Sequence, residues 1–350
     1  MTNLSPVANQ ELPGASLELP GASLELIGAE DGFARRFELV RQYGNFTMAY
    51  ATLQPGMKYF ETEDGYLAYD DCLGTTFVLG DPVAPADRHA AIIEAFLGKY
   101  PRTCWCEISK PVGAILARLG CLVNELGADM DLDLPTYDFD GPKKCKLRQA
   151  ARKIEREGHT IEEHSFTAGD QTEFDSLCSS WLATKTVKRE ARFLVRPVAF
   201  GNEPEVRKFC LRNPAGRIVS FVAFDPICEH GEVIGYSPAV KRRSAEAPTG
   251  AEEAITKFAI EQFQAEGART LRFGMLPFYD VQDSLFPEAW RLKKMIQWIY
   301  RYGDGWIYSF RGHADFIHRY RGNFSKLYFA TYTRWNILNL LALLRLCRLW

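Results

Sequence analysis

Between Gly141 and Gly158 the chain sets Lys143, Lys144, Lys146, Arg148, Arg152, Lys153 and Arg156 against one interior acid, Glu155, with Glu157 beside the closing glycine. Leu147, Ala150, Ala151 and Ile154 fall at i, i+3, i+4 and i+7, so a helix here buries one apolar stripe and leaves the cations outside. Pro142 suits a first helical turn and Gly158 a helix stop. Such a face is either a solvated linker or a surface that meets phosphate. Pro248-Thr249-Gly250 offers a second seat for an anion. It is a turn between a strand and a helix, where free backbone N–H groups can meet a phosphate or carboxylate.

No nucleophile relay stands out. The nine cysteines (Cys72, Cys104, Cys106, Cys121, Cys145, Cys178, Cys210, Cys228 and Cys347) are odd in number and scattered, with no CxxC pair. A disulfide framework and a zinc ribbon are both disfavoured, and the thiols read as small core or surface residues in a reducing compartment. His230 sits in a polar turn, while His313 and His318 are spaced i, i+5 and do not share a helix face. No Ser/His/Asp or Cys/His arrangement appears, and no metal site is expected.

The elements that would position these residues alternate. Strands are expected at 65–69 and 75–79 around a turn at 72–74, then a helix capped by Asp87, a strand at 103–108, a helix at 111–119 ended by Gly120, and a strand at 130–134. Cys104-Trp105-Cys106 places both thiols on one strand face. After the basic helix come a strand at 160–164, a helix at 173–184, a strand pair at 217–224 and 232–236, a helix from Gly250 to Gly267 and a strand at 270–273. Ahead of all this, Glu11-Leu-Pro-Gly-Ala-Ser-Leu17 repeats at 18–24, and a proline in every seven-residue copy forbids a coiled coil, so a flexible leader is expected over 1–34. The divisions are then 35–140, the helix 141–158, 159–333 and an apolar tail 334–350. That tail would either dock as a core helix or lie in a membrane interface, with Arg334, Arg345 and Arg348 among lipid phosphates.

At 350 residues, 47% hydrophobic and 25% charged, the chain suits two globular domains rather than disorder. A formal net charge of -2 excludes a global nucleic-acid field and leaves basic patches local. No apolar run of about 20 residues is present, and no secretory signal opens the chain.

From Phe46 to Tyr328 the chain resembles the C-terminal catalytic region of bacterial phosphatidylglycerol lysyltransferases. The resemblance rests on Pro55-Gly56-Met57-Lys58-Tyr59-Phe60, Val78-Leu79-Gly80-Asp81-Pro82-Val83, Lys146-Leu147-Arg148-Gln149-Ala150 with Glu155-Arg156-Glu157-Gly158, Ala247-Pro248-Thr249-Gly250, and Phe273-Gly274-Met275-Leu276-Pro277. It implies an α/β (α+β) fold of two tandem GNAT-type acyltransferase domains joined by the basic helix, with the second domain catalytic. It further implies a transferase acting at the cytoplasmic, inner face of the cell membrane. The donor would be aminoacyl-tRNA, the acceptor a lipid headgroup, and no cofactor would be permanently bound.

Within that resemblance, Arg242, Arg243, Thr249 and Gly250 would contact donor phosphate, helped by Lys146, Arg148 and Arg152. Glu253 or Glu252 would act as base, and Tyr236 would protonate the leaving group. Tyr279, Arg319 and Lys326 would hold the acceptor. One departure matters: the family's Asp-Leu-Met-Arg-like segment reads Tyr236-Ser237-Pro238-Ala239-Val240-Lys241-Arg242-Arg243, which keeps an arginine but lacks the acid. Two alternatives therefore stay open. One is an N-acyltransferase using acyl-CoA or acyl carrier protein on an amino lipid or sphingoid base; the other is a non-catalytic membrane- or tRNA-binding module.

Overall fold

A computed structural model describes residues 32–332, apart from Thr186, Asn202, Trp306 and Ile307, together with residues 337–348. The heptapeptide leader, Arg334 and the terminal Trp350 lie outside the described residues. In chain order the main elements are α1 (Gly32–Tyr43), β1 (Lys58–Glu61), β2 (Tyr66–Cys72), β3 (Thr75–Leu79), α2 (His89–Lys99), β4 (Thr103–Ile108), α3 (Lys110–Arg118), β5 (Leu122–Asp133) and α4 (Cys145–Arg156). There follow β6 (Thr160–Glu163), α5 (Gln171–Ala183), β7 (Arg207–Arg212), β8 (Ile218–Glu229), β9 (Glu232–Arg243), α6 (Ala251–Ala265), β10 (Thr270–Pro277), α7 (Trp290–Tyr302), α8 (Phe310–His318), β11 (Asn323–Thr331) and α9 (Ile337–Leu346).

The strands form one mixed sheet of eleven, in the order β1-β2-β3-β4-β11-β5-β10-β9-β8-β7-β6. Two runs of the chain repeat one plan. An antiparallel meander (β1–β3, then β7–β9) is followed by a crossover helix (α2, then α6) and a strand parallel to the meander's last member (β4, then β10). The closing strands are exchanged between runs: β11 pairs with β4, β5 pairs with β10, and the two lie antiparallel at the centre. Neither run can complete its sheet alone. The mixed α/β architecture expected from the sequence is present, as one continuous sheet.

The core follows the pleat. Trp105 is fully buried against α2 and α3, in one cluster with Phe96, Val112 and Tyr328, whereas Cys104 and Cys106 point to the opposite face with Phe77 and Leu79. Aromatic residues fill the other run, where Phe209, Phe224 and Phe263 contact edge-to-face at 5.3–5.6 Å. A segment without regular structure between α5 and β7 straps the runs together. Its Phe193 is buried in the first core, the Phe193 N–H donates to Gln54 Oε1 (2.8 Å) and Arg192 pairs with Asp70 (2.6 Å).

Several expectations are corrected. Asp87 caps nothing: it lies in a 3-10 turn, Ala86–Arg88, and α2 starts at His89 without a side-chain cap. β5 starts at Leu122 rather than Met130. Its register with β11 jumps from Gly127↔Leu327 to Glu125↔Tyr328, so Leu126 is an extra residue and the alternation that signals a strand changes phase mid-element. Of the apolar tail, for which the sequence leaves docking and a membrane interface both open, the described helix α9 lies on β2 and β3 and buries Leu340, Ala342, Leu343 and Leu346, while Leu338 stays exposed. Among the described residues no helix is long and apolar enough to cross a membrane.

Candidate active site

β9 and β10 pair only where β10 begins, Gly235 against Thr270 and Tyr236 against Leu271. A side chain at Gly235 would put Cβ 2.1 Å from the Thr270 carbonyl oxygen, so glycine is what lets the strands meet there. Beyond that contact β9 follows β8 to Arg243 while β10 follows β5 to Pro277. The strands diverge, and a cleft opens that the first turn of α6 and the helix α8 border.

Lys241 projects from β9 into this cleft, half-buried, with its ammonium 4.5 Å from the ring centre of Phe316 on α8. Burial pushes its pKa below the usual lysine value, against the opposing pull of Glu252 and Glu253 from the first turn of α6. Glu253 is ion-paired with Arg319, which follows α8. His313 on α8 hydrogen-bonds the Met275 backbone; burial, with Lys241 adding to it, pushes its imidazole down to about 3, so it is neutral at physiological pH. Tyr308 packs edge-on to His313, ring centres 5.8 Å apart. Lys185, just past α5, interacts with Glu252 as well, and its pKa is lowered by burial and by the neighbouring arginines Arg243 and Arg242. Two acids and several cations thus converge on a helix N-terminus, where backbone N–H groups add further positive potential.

Of the residues expected from the sequence, Glu252, Glu253 and Arg319 meet here. Tyr236 does not: it is buried at the closed end of the cleft and stacked on Phe263 (4.2 Å). Arg242 turns away, buried with its guanidinium 3.8 Å from the Trp181 ring centre and paired to Glu190 (2.7 Å), whereas Arg243 is exposed at the strand end. Gly250 has φ 95°, and a Cβ there would lie 2.9 Å from Ala150 Cβ, so this glycine lets α4 and α6 approach closely. Thr249 is exposed in the preceding turn. On α4, Lys146 and Arg152 are exposed, while Arg148 donates to the Phe139 carbonyl and to that of Gly141 (2.8 Å). Tyr279 packs on His318 (5.0 Å) and Phe324 (5.7 Å). Lys326 lies elsewhere, 3.1 Å from both Glu125 and Asp280. Residue type and spacing do not single out Lys241, Lys185 or His313. The one available signal is that strand alternation sets Lys241 opposite to the buried Val240.

The family model for the C-terminal region of phosphatidylglycerol lysyltransferase matches residues 37–331. The chain belongs to this family. A phosphatidylglycerol lysyltransferase of Bacillus subtilis (strain 168) is 26% identical over 261 residues, covering 72% of this chain and 29% of the relative. One from Staphylococcus xylosus is 21% identical over 165 residues, covering 45% and 20%. The chain therefore spans less than a third of the length of these curated relatives. Among solved structures, L-PGS from Bacillus licheniformis superposes with a TM-score of 0.75 at 22% identity, covering 92% of this chain and 98% of that one. The C-terminal domain of a putative lysylphosphatidylglycerol synthetase from Agrobacterium fabrum gives 0.72 at 19% identity, covering 90% and 95%. Both share the fold.

This family member has a second opening, at the matching place in its first run. The parallel pairing of β3 and β4 ends at Leu79↔Cys106, and β11 runs on along β5 after β4 has stopped at Ile108↔Tyr328. There a cavity of about 1020 Å³ is lined by Asp81, Glu107, Glu125, Asp129 and Asp131, with Arg272 and Lys326 among its few cations. Burial, with Asp129 adding to it, pushes the Glu107 carboxyl up to about 8. Asp129 is pushed up to about 6 by burial, although the Thr47 hydroxyl and the Gly274 N–H (3.0 Å) donate to it.

Proposed function

We propose that the chain transfers an aminoacyl group from aminoacyl-tRNA to a hydroxyl of a membrane lipid headgroup, in the cleft between β9 and β10. One observation carries the reading: Lys241, Glu252, Glu253 and Arg319 gather at the N-terminus of α6, where two strands part. The acceptor hydroxyl attacks the ester carbonyl and its proton passes to a carboxylate, Glu252 or Glu253. Lys241 and the backbone N–H groups of α6 stabilise the oxyanion. The bond from the carbonyl carbon to the ribose oxygen breaks, and the carboxylate returns the proton to that oxygen. Arg319 orients Glu253. No bound cofactor enters these steps.

The exposed Lys146, Arg152 and Arg156 lie on the helix packed against α6, with the exposed Lys143 in the 3-10 turn before it, and they suit a tRNA backbone beside the cleft. On the acceptor side, the outer face of α7 carries Trp290, Trp298 and Tyr302, each at least 60% exposed, among Arg291, Lys294 and Arg301. Aromatic rings at headgroup depth with cations among phosphates suit an anionic bilayer at the cytoplasmic face. In this reading 35–140 and 159–333 are the two acyltransferase-like units, 141–158 links them and 1–34 is a leader.

A thioester donor is the second reading. It is favoured by the excess of cations around Lys241, which repels a lysyl side chain and tolerates a fatty acyl chain. Mass spectrometry of lipids from cells expressing the chain or its Lys241→Ala variant separates the two. A lipid heavier by an aminoacyl residue, absent with the variant, supports the proposal. One heavier by a fatty acyl group moves the donor to a thioester, and no new lipid overturns transfer to lipid.

A further inference from the structure

We propose that the cavity beyond the end of β4 is a binding site for a compact organic cation carrying protonated amines, with Glu107 and Asp129 as its counter-charges. The proposal is independent of the chemistry assigned to the β9/β10 cleft. Glu107 lines the cavity, is 5% exposed and has no hydrogen-bond partner among the described residues. Its carboxyl oxygens meet the cavity and no donor among those residues, so a donor entering from outside can reach them. The backbone presents it deliberately: Glu107 has φ 57° inside β4, where the register with β11 shifts. Non-glycine residues rarely adopt that conformation within a strand.

The surroundings select the sign of the ligand. Asp129 interacts electrostatically with Glu107 from β5, and Asp131 stands farther along the same strand. Lys326 is held by Glu125 and Asp280, Arg272 donates to Asn45 Oδ1 (2.8 Å) while its charge acts on Asp129, and Lys110, His89 and His230 also line the cavity; the seven carboxylates of the lining outnumber its three Lys and Arg side chains. Glu107 also acts on the Cys106 and Cys347 thiols, which burial pushes up and keeps neutral. An amine fits the donor geometry that two or three carboxylates demand. A metal ion fits less well, since among the described residues no cluster of three His, Cys, Asp or Glu side chains has ligand geometry.

Binding a cation beside Glu107 must favour its ionised form and release a proton near pH 7. The test is calorimetric titration of the full chain with spermidine and with putrescine, in buffers of different ionisation enthalpy, for wild type, Glu107→Gln and Asp131→Asn. The expected result is saturable binding with proton release, at least tenfold weaker and without proton release in Glu107→Gln, and weaker with proton release kept in Asp131→Asn. Thermal melts confirm that each variant is folded. No saturable binding by wild type overturns the site. So does equal affinity in wild type and Glu107→Gln that vanishes at 0.5 M salt, which is the screening expected of loose attraction to surface acids.

Discussion

The two openings sit at matching places in the two runs of the sheet, beside the parallel pairs β3/β4 and β9/β10, yet their electrostatics are opposite. In the second run Lys241 leads a cationic group around two glutamates. In the first, buried carboxyls dominate, and Glu107 and Asp129 are both pushed towards the protonated form. The same strand plan thus supports opposite ligand preferences, because a diverging strand pair fixes only where side chains converge. Which side chains converge is left to single positions, such as 107 on β4 and 241 on β9. A fold of this kind says where to look, and only the residues say what binds.

The largest effect on rate is expected from Lys241→Ala, which removes the central cation of the second opening and leaves the sheet intact. Loss of one oxyanion-stabilising group costs on the order of 100-fold in rate, about 2.7 kcal/mol. The check is aminoacyl-lipid formation by purified wild type and variant with matched far-UV circular dichroism. Glu107→Gln in the same assay should leave the rate within about threefold. If the acidic opening proves the more sensitive of the two, the assignment of roles is reversed.

A second effect distinguishes the openings through pH. Glu107 and Asp129 hold protons in the folded protein that the unfolded chain releases near the ordinary carboxylate range. The native state therefore binds more protons, and stability falls as pH rises from about 4.5 to about 8. One pKa unit corresponds to about 1.4 kcal/mol, so the rise of Glu107 from 4.5 to about 8 alone makes the loss several kcal/mol between those limits. Urea melts of wild type should show the decline, and Glu107→Gln should flatten most of it. A wild-type midpoint that rises across this range would show Glu107 to be ionised and paired in solution.

How far each opening was legible follows from the same contrast. β3 and β4 were readable as short β-rich runs, α4 because its apolar stripe keeps helical spacing, and the Gly250 turn because its glycine and proline mark a helix start. The strands that build the openings were harder. β5 changes phase at Leu126 and β10 at its register shift beyond Arg272, so period-two alternation fails where the sheet is distorted for use. Exchange of β5 and β11 between runs is long-range pairing with no local signature. Glu252, Glu253 and Arg319 could be named from the family pattern. Arg242, in contrast, looked like a phosphate ligand and is held by Glu190 and Trp181 through a fold that brings the α5 region over β9. Lys241 was hidden among neighbours of the same charge.

The smallest stability effect and a clear binding effect are expected at the surface, where two outward apolar helix faces compete. α7 displays Trp290, Trp298 and Tyr302 with cations between them, and α9 displays Leu338 and Leu341 while its other face is buried on the first run of the sheet. Trp298→Ala should change stability by less than about 0.5 kcal/mol, because an exposed ring loses little on truncation. Flotation with phosphatidylglycerol vesicles should nevertheless fall several-fold for Trp298→Ala and stay unchanged for Leu338→Ser, as interfacial tryptophan and neighbouring cations act together on an anionic surface. The opposite pattern would make α9 the membrane-facing helix. Equal flotation of all three proteins would remove both faces from the acceptor's side and leave the cleft to reach its lipid by another surface.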